Sequence, residues 1–200
     1  MGFRTEEKIF IHQNNYIEFL QFLQQQNTKI LFPKRKVHSV YFDNERSQMY
    51  QDSQEGSVIR KKIRIRDYPN TKSNSLNLEI KISSIEGRYK KSKKINRKEY
   101  EYYLKTGYFD IHYGKCMPKL EVSYIREYYL YKNQLRITID KNILYKKFKR
   151  SEKIYKEKLI ACEIKSNSVI NRSIILNEFP FISQRFSKYA SAYQKIFHKD

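Results

Sequence analysis

Charged and apolar residues alternate in at least five short segments of this 200-residue chain. The clearest is Ile63-Arg64-Ile65-Arg66-Asp67-Tyr68. Because successive side chains of a β-strand point to opposite faces, each segment predicts a strand with one apolar face and one charged face. Several such strands in one chain predict a sheet whose charged face binds a polyanion. The other segments are 6–11, 78–82, 135–140 and 162–165.

The remaining patterns predict many strands and few helices. Asn96 is expected to cap the start of one helix, and Gly107 to stop it. This composition favours a mainly antiparallel β fold (α+β), a barrel or a strongly curved sheet, in a single domain over 1–200. The predicted strands are 4–11, 39–43, 58–68, 76–82, 119–130, 134–140 and 159–165, and the predicted helices are 14–26, 97–105, a short one near 170–178 and one from about 187.

The charge balance points to anionic partners. Lys and Arg outnumber Asp and Glu by 41 to 21, which gives a net charge of +20. So positive a chain favours phosphate chains, nucleotides, nucleic acid or an anionic membrane.

Other classes of protein are disfavoured by the cysteines, the histidines and the hydropathy. Cys116 and Cys162 lie far apart, and the four histidines lack metal-ligand spacing, so neither a disulfide scaffold nor a zinc site is expected. No apolar run approaches the roughly 18 residues that span a bilayer, and no signal core precedes the first strand. We therefore expect a soluble, cytoplasmic protein.

The kinds of charged residue indicate more than a solvated sheet. Several predicted strands carry arginine, whose planar fork suits phosphate oxygens. Acidic residues also stand two positions before lysine, as in Glu79 and Lys81, so both lie on one face. Such a mixture suits a water-filled barrel interior that binds phosphate and a divalent cation, and about eight strands are needed to enclose a ligand. The arginines are Arg64, Arg66, Arg126 and Arg136.

Eight motifs, taken in order, resemble the polyphosphate polymerase domain of VTC (vacuolar transporter chaperone) proteins, a branch of the triphosphate tunnel metalloenzyme superfamily. The resemblance covers nearly the whole chain. The closing Arg185-Phe-Ser-Lys-Tyr189, together with Ser39-Val-Tyr-Phe-Asp-Asn44, favours the VTC branch over CYTH-type triphosphatases. The other motifs are Arg4/Glu6/Lys8, Arg64/Arg66, Glu79-Ile-Lys81, Tyr124-Ile-Arg126, Arg136-Ile-Thr-Ile-Asp140 and Glu163-Ile-Lys165.

The resemblance implies a closed eight-stranded tunnel with a basic lumen and flanking helices. It implies transfer of the γ-phosphate of ATP onto inorganic polyphosphate, with Mn²⁺ or Mg²⁺ held by Glu163. Arg185 stands where the family pattern has lysine. The implied catalytic residues are Lys8, Arg64, Arg66, Lys81, Arg126 and Arg136, and the implied phosphate-binding residues are Lys94, Lys165, Arg185, Ser187 and Lys188.

Several alternatives to the polymerase stay open on sequence alone. A triphosphatase needs only a water beside the γ-phosphate, and a polyphosphate-binding module needs no chemistry at all. Nucleic acid is a less favoured partner, because carboxylates paired with the lysines would repel its backbone. The tyrosines of 124–131 are expected to pack the barrel against helices rather than to stack bases. The basic run 88–98 is either a guide for polyphosphate or a solvated loop.

Overall fold

The structure is a computed structural model, which describes residues 6–69, 71, 75–149, 153–166, 177–179, 181 and 186–198. The strands are β1 Glu6–His12, β2 Lys29–Asp43, β3 Arg60–Asp67, β4 Leu76–Ser83, β5 Arg88–Ile95, β6 Tyr108–Asp110, β7 Gly114–Tyr131, β8 Leu135–Lys147, β9 Ile154–Lys156 and β10 Leu159–Ser166. The helices are α1 Tyr16–Gln25, α2 Gln48–Glu55, α3 Arg97–Thr106 and α4 Lys188–Phe197, and a 3₁₀ turn, Gln13–Asn15, precedes α1.

The strands form one sheet in the order β1-β10-β8-β7-β2-β3-β4-β5, with β6 beside β7 and β9 beside β8. Neighbouring strands pair in antiparallel register from β1 to β8 through β10, and from β2 to β5. The predicted fold class, mainly antiparallel β with a few helices, is confirmed. Eight strands make up the main order, and closure of that order into a tunnel stays a prediction.

The chain divides into two compact units, which are described separately. The first unit comprises 1–35, 124–143 and 156–186, and the second unit comprises 36–123, 144–155 and 187–200. Strands β2, β7, β8 and β9 contribute residues to both units. That the 200 residues form a single domain stays a prediction.

The core of the first unit lies on the apolar face of β1, β10 and β8. Phe19 and Leu23, one turn apart on α1, pack against this face and are buried. Because the partner strands are in register, every second residue contributes to the same core. The strand residues in this core are Ile9, Ile11, Tyr131, Leu135, Ile137, Ile139, Ile160, Cys162 and Ile164, and Phe179 joins them.

In the second unit, a buried carboxylate connects β2 to two helices. Asp43 accepts hydrogen bonds from the backbone N–H groups of Met49 and Tyr50 at the start of α2, each at 3.1 Å. Its Oδ2 atom also accepts from the Tyr189 hydroxyl of α4 at 2.5 Å. Burial raises the pKa of Asp43, although these hydrogen bonds oppose the change.

Helix α3 follows the sequence prediction closely. The Asn96 side chain accepts from the Glu99 N–H, and the Glu99 carboxylate accepts from the Asn96 N–H, each at 2.9 Å. This capping box fixes the start of α3. Gly107 ends the helix with φ +84°, a left-handed value that glycine adopts without strain.

None of the helices within the described ranges is long and apolar enough to cross a membrane.

Some elements differ from their predictions. The basic run 88–98 divides into a strand paired with β4 and the start of α3, so it is not a loop. Strand β2 begins at Lys29, ten residues before its prediction. Helix α2, which buries only Met49 among its eight residues, has no apolar stripe by which it could be predicted. Most of the helix expected near 170–178 lies outside the described residues.

We expect Gly107→Ala to destabilise the protein more than Gly114→Ala. A Cβ atom on Gly107 would lie 2.6 Å from the Cys116 carbonyl oxygen and 2.7 Å from Met117 Sδ, whereas one on Gly114 would meet nothing within 4 Å. Both glycines have positive φ, so Gly114→Ala measures the backbone strain alone, about 1 kcal/mol. In urea unfolding, Gly107→Ala should lower the free energy of unfolding by about 2 kcal/mol more than Gly114→Ala does. Equal losses would show that the contact relaxes freely.

Candidate functional site

A basic face covers β3, β4 and β5 in the second unit. Residues directly opposite each other in antiparallel strands share a face. The register places Lys62 opposite Lys81 and Lys81 opposite Lys90, and it aligns Arg66 with Asn77 and Asn77 with Lys94. Four predicted site residues, together with four basic residues that were not predicted, therefore lie on this face. Its basic members are Arg60, Lys62, Arg64, Arg66, Lys81, Arg88, Lys90 and Lys94.

Glu79 is the single carboxylate among the described residues of this face, and it is 3% exposed. Arg64 donates to Glu79 Oε2 from Nε at 2.8 Å and from Nη2 at 2.6 Å. Lys90 Nζ donates to Oε1 at 2.5 Å, and Arg66 Nη1 lies 3.7 Å from Oε2. Burial raises the pKa of Glu79, but Arg64 and Arg66 outweigh burial and hold the pKa well below its usual range. Glu79 is therefore ionised and orients Arg64.

Polar groups of β2 complete the surroundings of the two arginines. The Tyr41 hydroxyl accepts from Arg64 Nη1 at 2.8 Å, and the Ser39 hydroxyl accepts from Arg66 Nε at 3.4 Å. The ring of Tyr41 stacks on Tyr189 of α4, with the centroids 5.3 Å apart. Burial raises the pKa of Tyr41, but Arg64 and Arg66 lower it overall. The arginine forks are thus held in fixed positions before any ligand binds.

The N-terminus of α4 borders the same basic face. Ser187 caps α4 by accepting from the Ala190 N–H at 3.2 Å, and it also accepts from Lys62 Nζ at 2.8 Å. Lys188 is near enough to Tyr41 to lower the pKa of its hydroxyl. Predicted residues Ser187 and Lys188 therefore border the basic face, Ser187 beside Lys62 and Lys188 near Tyr41. Lys94 is exposed on the edge strand, and Arg185 lies outside the described residues.

A mixed face of both charges lies on β1, β10 and β8 in the first unit. Glu6 is opposite Lys165, which is opposite Arg136. Lys8 is opposite Glu163, which is opposite Thr138. The alternation thus separates Glu163 from its neighbours, Cys162 and Ile164, which are in the apolar core. The predicted residues Lys8, Arg136, Glu163 and Lys165 are on one face.

The lysines of this mixed face contact its carboxylates. Lys165 Nζ lies between two of them, 3.4 Å from Glu6 Oε2 and 3.2 Å from Glu163 Oε2. Lys8 Nζ donates to the Phe186 carbonyl at 3.1 Å and lies 3.7 Å from Glu6. By contrast, Arg136 Nε is buried and has no hydrogen-bond partner in the described part of the chain. A buried donor without a partner is costly, so an anionic ligand at Arg136 would be favoured.

Arg126 has a different environment from the one expected. Its Nε and Nη2 atoms donate to Asp140 Oδ1 and Oδ2 at 2.5 and 2.7 Å, a bidentate pair with a fully buried carboxylate. Burial lowers the pKa of Arg126, but Asp140 outweighs burial and raises it. Much of the fork of Arg126 is therefore occupied within the protein, and its phosphate-binding role stays a prediction.

The carboxylates of the mixed face suit a divalent cation only when a bound phosphate compound supplies further oxygens. Among the described residues, no three His, Cys, Asp or Glu side chains are placed to hold a metal ion. Glu6 and Glu163 both approach Lys165 Nζ, so these two are near one another on the mixed face. Mg²⁺ is commonly bound by one or two carboxylates with phosphate oxygens and water. The residues fit such a cation if phosphate supplies further oxygens.

Sequence reasoning missed a histidine between two carboxylates in the second unit. His38 Nδ1 lies 2.7 Å from Asp67 Oδ1, and its Nε2 lies 3.3 Å from Glu121 Oε2. These residues join β2 to β3 and β7. Burial alone lowers the pKa of His38, but the hydrogen bonds to Asp67 and Glu121 outweigh burial and raise the pKa to about 9.

The fold resembles those of solved structures whose sequences have diverged widely. One is a Bacillus halodurans protein described as a "putative adenylate cyclase", with a TM-score of 0.64 and 13% identity over 98% of each chain. Another is HpAC1 from Hippeastrum, described by its dominant triphosphatase activity, with a TM-score of 0.57 and 12% identity over 96% of each chain. A Pyrococcus horikoshii protein gives 0.56 and 17% identity, covering 96% of this chain and 99% of that one. The chain therefore has the fold that these proteins share.

The sequence identifies the family to which the chain belongs. Residues 3–197 match the VTC domain, so the chain belongs to the VTC domain family. No curated protein matches the sequence. The resemblance that the eight motifs carried is therefore confirmed over nearly the whole chain.

The contacts of His38 with Asp67 and Glu121 predict that the stability of the protein depends on pH. A group whose pKa rises from 6.5 to about 9 on folding stabilises the fold fully below about pH 6.5. This contribution, up to about 3 kcal/mol, is lost as the pH rises to about 9. In His38→Gln, the free energy of unfolding should vary less between these pH values, whereas His12→Gln, at an exposed position, should keep the wild-type profile. Parallel profiles for wild type and His38→Gln would contradict the assignment.

Arg64 should affect both stability and anion binding. Arg64→Ala leaves buried Glu79 with weaker partners, so we expect a loss of about 2–3 kcal/mol in unfolding free energy. Tripolyphosphate binding, measured by calorimetry, should weaken by about 1.5–3 kcal/mol. The double variant Arg64→Ala/Glu79→Gln removes the orphaned charge and should recover stability without recovering affinity. Arg97→Ala, which removes an exposed arginine of α3, is the matched control. Full affinity in the double variant would make Arg64 purely structural.

Proposed function

We propose that this protein is a metal-dependent polyphosphate polymerase, which transfers the γ-phosphate of ATP onto a growing polyphosphate chain. The observation that carries the proposal is the basic face of the second unit. Eight basic side chains against one carboxylate, Glu79, give this face a net charge of +7 on three adjacent strands. Membership of the VTC domain family supports the same function.

The chemistry asks the protein for positioning and charge neutralisation. Phosphoryl transfer passes through a transition state with little covalent participation by the enzyme. Fixed cations that contact the phosphate oxygens lower its energy. The terminal phosphate of the growing chain acts as the nucleophile, so no side-chain nucleophile is needed. We propose Lys8, Arg64, Arg66, Lys81, Arg126 and Arg136 as catalytic residues, and Lys94, Lys165, Arg185, Ser187 and Lys188 as phosphate-binding residues.

Arg64 and Arg66 are the best supported of these residues. Their guanidinium groups are held by Glu79, Tyr41 and Ser39, so little side-chain entropy would be lost on binding phosphate. Arg136 supplies a second kind of support, because its buried Nε lacks a partner in the described residues. We propose that each donates to phosphate oxygens.

Glu163 and Glu6 would hold the divalent cation, Mn²⁺ or Mg²⁺. Such an ion, when bound, would neutralise charge on the phosphate oxygens that it contacts. Lys165 would then move towards phosphate, because the cation would replace it beside the two carboxylates. A cytoplasmic location, where ATP is available, is part of this proposal.

A triphosphatase is the second candidate, and a specific comparison favours it. HpAC1, which shares the fold, is described by its dominant triphosphatase activity. A nucleic-acid-binding module is less well supported, because Glu79 and Glu163 are placed on the faces that the backbone phosphates would approach.

The products of ATP turnover distinguish these functions. Purified protein is incubated with ATP and Mn²⁺, and the products are separated on a polyacrylamide gel. A polymerase should release ADP and form a ladder of polyphosphate chains. Free phosphate in proportion to ATP consumed, without a ladder, would identify a triphosphatase. Tripolyphosphate binding without turnover would identify a binding module.

Glu163→Gln tests the cation within the same assay. The substitution keeps the shape of the side chain and removes one negative charge, so metal-dependent turnover should fall by about two orders of magnitude or more. Tripolyphosphate binding without metal should hold or tighten, because a carboxylate has left an anion-binding face. Glu18→Gln, at an exposed position of α1, controls for loss of charge. Unchanged metal dependence in Glu163→Gln would place the cation at other carboxylates.

A further inference from the structure

Two large apolar side chains are exposed at the turn between β6 and β7. Phe109 of β6 is 75% exposed and Ile111 of the turn is 93% exposed. We refer to Phe109 and Ile111 as the apolar tip. Exposed apolar groups that occur together, unlike isolated ones, commonly mark an interaction surface.

The turn that carries Ile111 is tightly built. Asp110 Oδ1 accepts from the N–H groups of His112 and Tyr113, at 2.9 and 3.2 Å, and both Asp110 oxygens accept from Lys61 Nζ at 2.9 Å. Tyr113 is buried, and its hydroxyl donates to Asp52 at 2.6 Å. The residues on both sides of Ile111 are therefore anchored. Ile111 is held out in water by a fixed turn, although its exposure contributes nothing to folding.

The neighbouring elements add positive charge to the apolar tip. Phe109 pairs with Lys115 across β6 and β7, so both side chains share the outward face of this hairpin. Lys105 is exposed in the last turn of α3, which Gly107 joins closely to β7. The nearby carboxylates are already engaged, since Asp110 binds Lys61 and Glu101 binds Arg97. Neither Lys105 nor Lys115 has an ion-pair partner in the described part of the chain.

We propose that the apolar tip is a docking site for an anionic lipid surface. Two contributions govern peripheral membrane binding. Apolar side chains enter the interface of the lipid bilayer, and flanking lysines attract the anionic headgroups. A second copy of this chain is a poor occupant, because each copy carries a net charge of +20. Nucleic acid would match the lysines but would gain little from an isoleucine at the tip.

Vesicle sedimentation tests the proposal with a matched control. We expect the wild-type chain to sediment with phosphatidylcholine vesicles that contain phosphatidylglycerol, and much less with phosphatidylcholine alone. Phe109→Ser/Ile111→Ser should weaken this binding at least about tenfold, because two apolar side chains no longer enter the interface. Ile85→Ser, in the turn between β4 and β5, removes an equally exposed isoleucine (90%) and should leave binding unchanged.

The absence of tryptophan from the sequence allows a direct measurement of insertion. Ile111→Trp introduces a single reporter whose emission should shift to the blue on anionic vesicles, whereas Ile85→Trp should show no shift. ATP turnover of these variants without vesicles should equal that of the wild type.

Three outcomes would overturn the proposal. The first is that the wild type does not bind anionic vesicles. The second is that Phe109→Ser/Ile111→Ser binds as strongly as the wild type, which would assign binding to general positive charge. The third is self-association in solution, measured by light scattering, that the same double variant abolishes, which would make the apolar tip an interface between copies.

Discussion

The antiparallel register is the constraint on which the rest of this structure depends. Residues opposite each other share a face, so alternating segments that pair in register collect their charges on one side and their apolar residues on the other. A slip of one residue between β3 and β4 would move Glu79 away from Arg64 and place it on the opposite face. The charged faces of both units and the apolar core of the first unit thus have one cause.

Each charged face is kept folded by counter-charges of its own. Glu79 is nearly buried among two arginines and Lys90, and Lys165 lies between Glu6 and Glu163. Removing ions from water is costly unless opposite charges are adjacent. These internal pairs offset that cost when no ligand is bound, and they define what a phosphate group or a cation would displace. The affinity for such a phosphate group or cation would therefore be the difference between the contacts it makes and the internal ion pairs it displaces.

Local patterns could be predicted from the sequence, and long-range contacts could not. The strands around Arg64 and Glu163 and the capped helix α3 follow from alternation and from Asn96, which act within a few residues. The pairs Arg126–Asp140 and His38–Glu121 depend on which strands become neighbours, which alternation does not specify. The strand at 88–95 was missed because its pairing with β4 stabilises it, while its side chains are nearly all exposed. The motifs named residues that the register collects on the two charged faces, but they did not specify the partners of those residues.

The contact between α4 and the sheet has a consequence for the order in which the protein forms. The ring of Tyr189 stacks on Tyr41, whose hydroxyl accepts a hydrogen bond from Arg64. The hydroxyl of Tyr189 donates to Asp43. Strands β2 to β4 leave the ribosome more than a hundred residues before α4, because chains are made from the N-terminus. During synthesis Arg64 and Arg66 therefore leave the ribosome long before the aromatic ring that covers Tyr41. Until α4 is made, Tyr41 lacks the stacking partner that holds its ring, so this side of the basic face is completed only at the end of synthesis.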